Sequence, residues 1–270
     1  MHFFAGQELT IWEAVKDCGI THVPMAIGMT NLGDDIQTLA ALRWLGLPET
    51  AASVVQRDVP HSWPINSTVL LCGWYARCPD LGASRVIVCG MHLNAHLLSD
   101  DIASGRLSRL GNAVRRQGVP AGARDLHTQR VLKAQGIDAV WSGCPTQTLR
   151  KPEPRRTESG LQLAIDTPCP GADWTPVTHR LAELHEATVT QRLDQAAWAI
   201  ERLERAQRVV TSRLHAWLPA LALGVPEVSL HFPTRPTNAE RWSGFPAHLP
   251  GESKWTRHTP ELATLTAQPQ

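Results

Sequence analysis

Two hydrophobic periods alternate along this chain. Apolar residues at helical spacing run from Leu9 to Cys18 and stop at Gly19, and His22 to Gly28 follows as a short strand. A loop, Met29-Thr30-Asn31-Leu32-Gly33-Asp34-Asp35, leads into a second helical run ending near Leu45. Ser53–Val55, Thr68–Cys72 and Arg85–Cys89 are continuous apolar runs, the pattern of strands covered on both faces. A helix is predicted from Ala103 to Gln117, another from the Ala121–Thr128 segment to Gly136, and a strand from Ile137 to Gly143. Later, strands at Leu161–Asp166, Thr175–Thr178, Arg208–Thr211 and Glu227–His231 bracket a long helix, Thr188–Ala206, and a short one that stops at Gly224 before Pro226.

Strand and helix thus alternate on both sides of Lys151–Ser159, a charged segment with two prolines that reads as a linker. The predicted fold class is α/β, with Rossmann-like halves at residues 1–150 and 151–250 and a tail at 251–270. The first strand and its loop open the fold as a doubly wound sheet opens, yet no G-x-G-x-x-G follows the strand, so no dinucleotide site is expected.

Composition narrows the partners. With 43% apolar and 19% charged residues the chain can form a sizeable core, and a formal charge of +1 gives no long-range pull on nucleic acid. Met1 to Gly6 lack the pattern of an export signal, and no window reaches the roughly 18 apolar residues of a membrane span, so a cytoplasmic protein is expected. Six scattered cysteines without a C-x-x-C pair read as thiols.

The candidate chemistry begins at Val209–Pro226. With Ser212 as N-cap, Arg213, Leu214 and His215 would fill the first turn of a helix, where free N–H groups and the positive dipole end favour an anion. Arg124 stands at a predicted strand end before a helix, the edge of an open α/β sheet where ligands usually bind; Ser142 and Gly143 close the next strand at the same crevice. In the early loop Asn31 can orient a hydroxyl, Gly33 lets a ligand approach the backbone, and Asp34 and Asp35 lie at a helix start. His92 and His96 are four apart, but no acidic residue stands at ligand spacing, and no metal is expected. Cys144 has no identifiable base beside it, and Trp74 reads as core as readily as a sugar platform.

These segments resemble the polysaccharide pyruvyl transferase family. The likeness lies in Thr211-Ser212-Arg213-Leu214-His215, in Asn31-Leu32-Gly33-Asp34-Asp35-Ile36-Gln37, in Gly122 to Thr128 with Ser142-Gly143-Cys144, and in Thr178-His179 and Arg241-Trp242-Ser243-Gly244. Cys72 stands before Gly73-Trp74 where the family often has Asn. The resemblance implies a GT-B-like fold whose halves face one cleft, with phosphoenolpyruvate as donor substrate and no further cofactor. It also implies a glycan or lipid-linked glycan acceptor, the latter met at the inner face of the membrane. Arg213 and Arg124 would clamp the donor, His215 would donate a proton, and Asp34 or Asp35 would be the base. Asn31, Gly33, Asp35, Ser142, Gly143, Thr211 and Ser212 would line the substrates. Two other readings stay open: a GT-B glycosyltransferase holding a nucleotide sugar on the same turn, and a non-catalytic glycan-binding protein.

Overall fold

The apolar runs at Thr68 and Arg85 become the two longest strands, β3 (Thr68–Tyr75) and β4 (Arg85–Leu93), each buried along nearly its whole length. Strands with both faces covered are what a parallel sheet needs, and these two pair in parallel with β5 (Ala121–Ala123) and β6 (Ala139–Trp141) in the order β3-β4-β5-β6. A parallel pair, β1 (Val23–Met25) and β2 (Val54–Gln56), joins this sheet through a bridge between His22 and Val69 and the Leu70 N–H donated to the His22 carbonyl. A second parallel sheet has the order β10-β9-β7-β8, from β7 (Gln162–Ile165), β8 (Thr175–Val177), β9 (Arg208–Thr211) and β10 (Glu227–Leu230). The computed structural model describes residues 7–81, 84–150, 160–231 and 239–245. The expected linker and tail lie outside them.

The helices are α1 (Gln7–Lys16), α2 (Leu32–Leu45), α3 (Leu98–Ala103), α4 (Arg106–Gln117), α5 (Leu126–Ala134), α6 (Val189–Arg205) and α7 (Leu214–Ala222). Asn31 caps α2 by accepting from the Gly33 N–H, Asp34 and Asp35 suit its positive end, and Gly46 closes it at φ +66°. Helix α2 is buried on nearly every side, its polar Asp35, Gln37 and Thr38 along with its apolar residues. It packs on β1 and β3 of the first half and on α6 and α7 of the second. One core accordingly runs from Trp12, Ile36 and Leu39 to Leu193, Ile200 and Trp217, while a second, with Val69, Val88, Leu110 and Leu132, covers the far face of the first sheet. The halves share a core.

Three expectations change. The helix expected from Ala103 breaks at Gly105, whose φ of +71° separates α3 from α4. His92 and His96 do not share a helix face: His92 is buried in β4, and His96 follows it in a short 3-10 turn. Ser212 is not the N-cap of α7, because Arg213 holds that position with an extended backbone and the Thr211 hydroxyl takes the Arg213 N–H.

Candidate functional site

Helix α7 starts against the start of α2, and a proline shapes that contact. Pro219 lies four residues after His215 and has no N–H to return to the His215 carbonyl, and its ring crowds that carbonyl. His215 accordingly leaves helical geometry, at φ −86° and ψ 19°, within an otherwise helical segment. Its ring packs on Gly33, where an added Cβ would lie 2.9 Å from His215 Cβ. That approach explains the glycine, which serves the imidazole rather than a ligand. His215 Nδ1 lies 3.9 Å from Asp34 Oδ1, and its Nε2 is buried without a hydrogen-bond partner among the described residues.

Arg124 and Arg241 act on this imidazole, and Arg213 acts in turn on Arg241. Arg124 follows β5, its N–H bonded to the Met91 carbonyl, and its side chain is 1% exposed. Its Nε and Nη2 have no hydrogen-bond partner among the described residues; the Asp125 carboxylate is 3.7 Å from Nε. Arg241 arrives from a short 3-10 turn that docks on α5. The Ser243 carbonyl accepts from Leu126 N–H, the Ser243 hydroxyl accepts from His127 N–H, and Gly244 closes on Leu126. Arg241 Nε is likewise buried and unpartnered among the described residues. Burial, and then the charge of Arg124, lower its pKa to about 10, with Arg213 adding to the effect and Asp34 opposing it. Arg213 donates from Nε to Asp166 Oδ2 at 2.8 Å and keeps its remaining N–H groups beyond that bond.

Asp166 was read only as the end of a strand, yet it organises this edge. It holds φ +50°, an uncommon backbone for a residue with a side chain, and also accepts from the Thr178 hydroxyl and the His179 N–H. Burial alone would raise its pKa, but those hydrogen bonds and the Arg213 charge outweigh it and hold the carboxylate below its ordinary value. His179 is held neutral, down to about 4, by burial first and by Arg213, against the opposing pull of Asp166. Its carbonyl takes the Leu32 N–H at the start of α2, tying the second half to the first at the site.

A second imidazole, His92, also feels the charge of Arg124. His92 Nδ1 is 2.6 Å from Asp125 Oδ2, both residues wholly buried, and Asp125 also caps α5 through the Thr128 N–H. Burial first, then Arg124 and Arg241, lower the His92 pKa despite Asp125. The Asp125 pKa falls because the His92 and Arg124 contacts outweigh its burial. A neutral imidazole donating Nδ1–H to an ionised carboxylate fits both directions and leaves Nε2, unpartnered among the described residues, as an acceptor. Spacing to His96 was the wrong signal for His92; strand β4 and the cap of α5 create the pair. His215 is pushed well below an ordinary imidazole by burial, then by Arg124, Arg241 and His179.

Several residues expected to line substrates are occupied elsewhere. Asp35 is wholly buried and accepts from Nε and Nη2 of Arg192, so it joins α2 to α6 instead of meeting a substrate. The Ser142 hydroxyl accepts from Gly90 N–H and contacts the Ala123 and Gly143 carbonyls, which binds strand ends together. Gly143 takes φ +68° to turn the chain after β6. Thr211 donates to the Ile165 carbonyl and Ser212 to the Asp166 carbonyl. Asn31 uses its carbonyl oxygen on the Gly33 N–H. Cys144 is fully buried and its thiol pKa is raised by that burial, so it is no ready nucleophile. Of the expected residues, Arg124, Arg213, His215 and Asp34 meet in one place, and Arg241, Asp166, His179 and His92 join them.

Among the described residues no group of three or more His, Cys, Asp or Glu side chains is placed to hold a metal, and no helix is long and apolar enough to cross a membrane. No protein-family model and no curated protein sequence matches the chain. Similar solved structures include a functionally uncharacterised protein of Klebsiella pneumoniae, with a TM-score of 0.52 at 12% identity over 88% of this chain and 94% of that one. At that identity the likeness concerns fold alone: a mixed α/β protein with parallel sheets.

Proposed function

We propose that the chain transfers pyruvate as a ketal from phosphoenolpyruvate to two hydroxyls of a glycan, releasing phosphate. The observation carrying this reading is the convergence of Arg124 and Arg241 on His215, with Arg213 acting in turn on Arg241, and with guanidinium N–H groups of Arg124 and Arg241 buried and unpartnered among the described residues. Three cations, with carboxylates at two of them, Asp166 on Arg213 and Asp125 near Arg124, suit a small ligand carrying two anionic groups at opposite ends. The motifs that resemble pyruvyl transferases contribute Arg124, Arg213, His215 and Arg241, and the parallel sheets suit a GT-B-like arrangement in which both halves contribute to one site.

In this reading Arg124 and Arg241 meet one end of the donor and Arg213 the other. A bound phosphate raises the pKa of His215, reversing the effect of its cationic neighbours, so that it arrives protonated with the donor. His215 then gives its proton to the methylene carbon. The carbon–carbon double bond becomes a methyl group, and the adjacent carbon takes up the first sugar oxygen as Asp34 removes that hydroxyl's proton. Attack by the second hydroxyl breaks the bond to the phosphate oxygen, and phosphate leaves with the electron pair. Neutral His92, fixed by Asp125, can accept the second proton. A glycan carried on a lipid would bring the enzyme to the inner membrane face. Phosphate release from phosphoenolpyruvate, measured with and without oligosaccharides, tests the reading. Release dependent on the oligosaccharide supports it; a nucleotide diphosphate released from a nucleotide sugar, or glycan binding without turnover, replaces it.

A further inference from the structure

A small cavity of about 10 Å³ lies next to the arginine cluster, lined by Asp34, Gln37, Arg57, Cys72 and Gly73. That is about the space of one oxygen atom with its hydrogens. Gln37 is 2% exposed, and neither its Nε2 nor its Oε1 has a hydrogen-bond partner among the described residues. Leaving both ends of a buried carboxamide unpaired is costly, because each group loses its water without gaining a partner. Gly73 helps create the space. It sits at an irregularity in the pairing of β3 with β4, at φ +110°, and an added Cβ would lie 3.8 Å from Gln37 Nε2 and 3.9 Å from Arg57 Cδ. Arg57 is 5% exposed, held by Asp58 at 3.0 Å and 3.9 Å from Asp34 Oδ2. The cavity lies where β1 meets β3, the change of strand order at which open parallel sheets bind ligands.

The chemistry of the carboxamide selects the occupant. Its nitrogen can only donate and its oxygen can only accept, so a single atom satisfying both must itself accept and donate. An anion lacks the donor and an ammonium lacks the acceptor. A hydroxyl has both, and the Cys72 thiol on the wall is kept un-ionised by burial. Asp34 is a shared wall: Oδ1 faces His215 and Oδ2 faces Arg57, each at 3.9 Å. A hydroxyl seated on Gln37 therefore lies one side chain away from the arginine cluster. We propose that this cavity is the acceptor hydroxyl subsite, in which Gln37 grips one alcohol oxygen of the sugar while Arg57 fixes the carboxylate of Asp34 beside it. Naming the sugar as acceptor rests on the pyruvyl-transfer reading; the hydroxyl specificity rests on Gln37 and the cavity.

Crystals of the parent protein soaked with a panel of methyl hexopyranosides test it directly. The expected result is a pyranoside hydroxyl in the cavity, within hydrogen-bond distance of both Gln37 Nε2 and Oε1. A water that keeps its place there in every soak, with the pyranosides elsewhere or unbound, overturns the proposal and makes Gln37 the holder of a structural water. In solution, Gln37→Glu keeps the shape but loses the donor when ionised, and Gln37→Met loses both groups. Each is expected to raise the pyranoside concentration for half-maximal phosphate release by about tenfold while changing the affinity for inorganic phosphate by less than about twofold. Equal losses in both measurements also overturn it. A pyranoside hydroxyl in the cavity of a protein that does not consume phosphoenolpyruvate would sink the pyruvyl reading alone; turnover with only water in the cavity would sink the subsite alone.

Discussion

At the scale of single residues, Arg213 and His215 are two positions apart with different work. Arg213 lends its Nε–H to Asp166, so Arg213→Lys keeps the charge and loses the planar fork. Donor affinity is expected to fall while turnover survives at saturating phosphoenolpyruvate. His215→Asn keeps a polar group against Gly33 but cannot deliver a proton, and kcat is expected to drop by roughly 10²- to 10⁴-fold with a smaller effect on donor binding. Steady-state kinetics on both variants check the contrast; a His215→Asn enzyme with altered KM alone would make the imidazole a phosphate ligand. His179 gives a pH signature. Its folded pKa of about 4 lies below the ordinary imidazole value near 6.5, so the unfolded chain takes the proton first. Its contribution is present above pH ~6.5 and is lost as pH falls toward 4, amounting to about 2 kcal/mol by pH ~5. Urea unfolding at the two pH values should show His179→Asn losing less than the parent on acidification. Asp35, raised to about 7 by burial against the pull of Arg192, contributes with opposite sign, so the difference between proteins is the readout.

Among the elements, the contact of α2 with α6 fixes the site. Arg192 of α6 is wholly buried and donates to Asp35 and to the carbonyls of Ala26, Met29 and Leu184, which pins the loop ahead of Asn31, Gly33 and Asp34. Arg192→Met strands Asp35 and three carbonyls, with an expected loss of about 3–5 kcal/mol. Adding Asp35→Leu should recover part of it, because no charge is then left alone. A double-mutant cycle in urea measures the coupling, and simple additivity would deny that the two act as a pair. This interaction also marks what the sequence could show. Strand runs and the Gly224 stop are legible because each is written in neighbouring residues, whereas Asn31, the cap of α2, reads in the sequence as a loop residue that orients a hydroxyl. Asp35 looked like a helix-start carboxylate because its partner lies 157 positions away. Arg124, Arg213, Asp34 and His215 were legible as motifs; the Asp125 contact that turns His92 from half of a metal pair into a fixed acceptor crosses 33 positions. Asp166 was invisible for the same reason, since its role depends on a turn geometry and on three donors from other segments.

For the whole molecule, the shared core means that the site forms only when both halves and the Arg241 turn are packed together, and that packing gathers like charges. Arg241 feels Arg124 and Arg213 at once, and its buried Nε has no hydrogen-bond partner among the described residues. On the proposed function, such an arrangement sacrifices stability for anion binding. Replacing Arg241 by Met keeps most of the aliphatic stem while removing the charge and the guanidinium that lies 5.9 Å from the Trp242 ring centroid. The variant is expected to be more stable than the parent without ligand, by about 1 kcal/mol or more, as when other buried ions give way to apolar groups. It should also lose most of the protection that an anion confers. For the parent, phosphoenolpyruvate at 100 times its Kd should add about 2.7 kcal/mol of stability and raise Tm accordingly. For Arg241→Met the same concentration should leave Tm nearly unchanged, because the site retains two cations and one of them is already paired with Asp166. Thermal unfolding of both proteins, with and without phosphoenolpyruvate, decides it. A variant that is less stable when empty and still gains the full shift would place Arg241 in the packing of the C-terminal turn and outside the anion site.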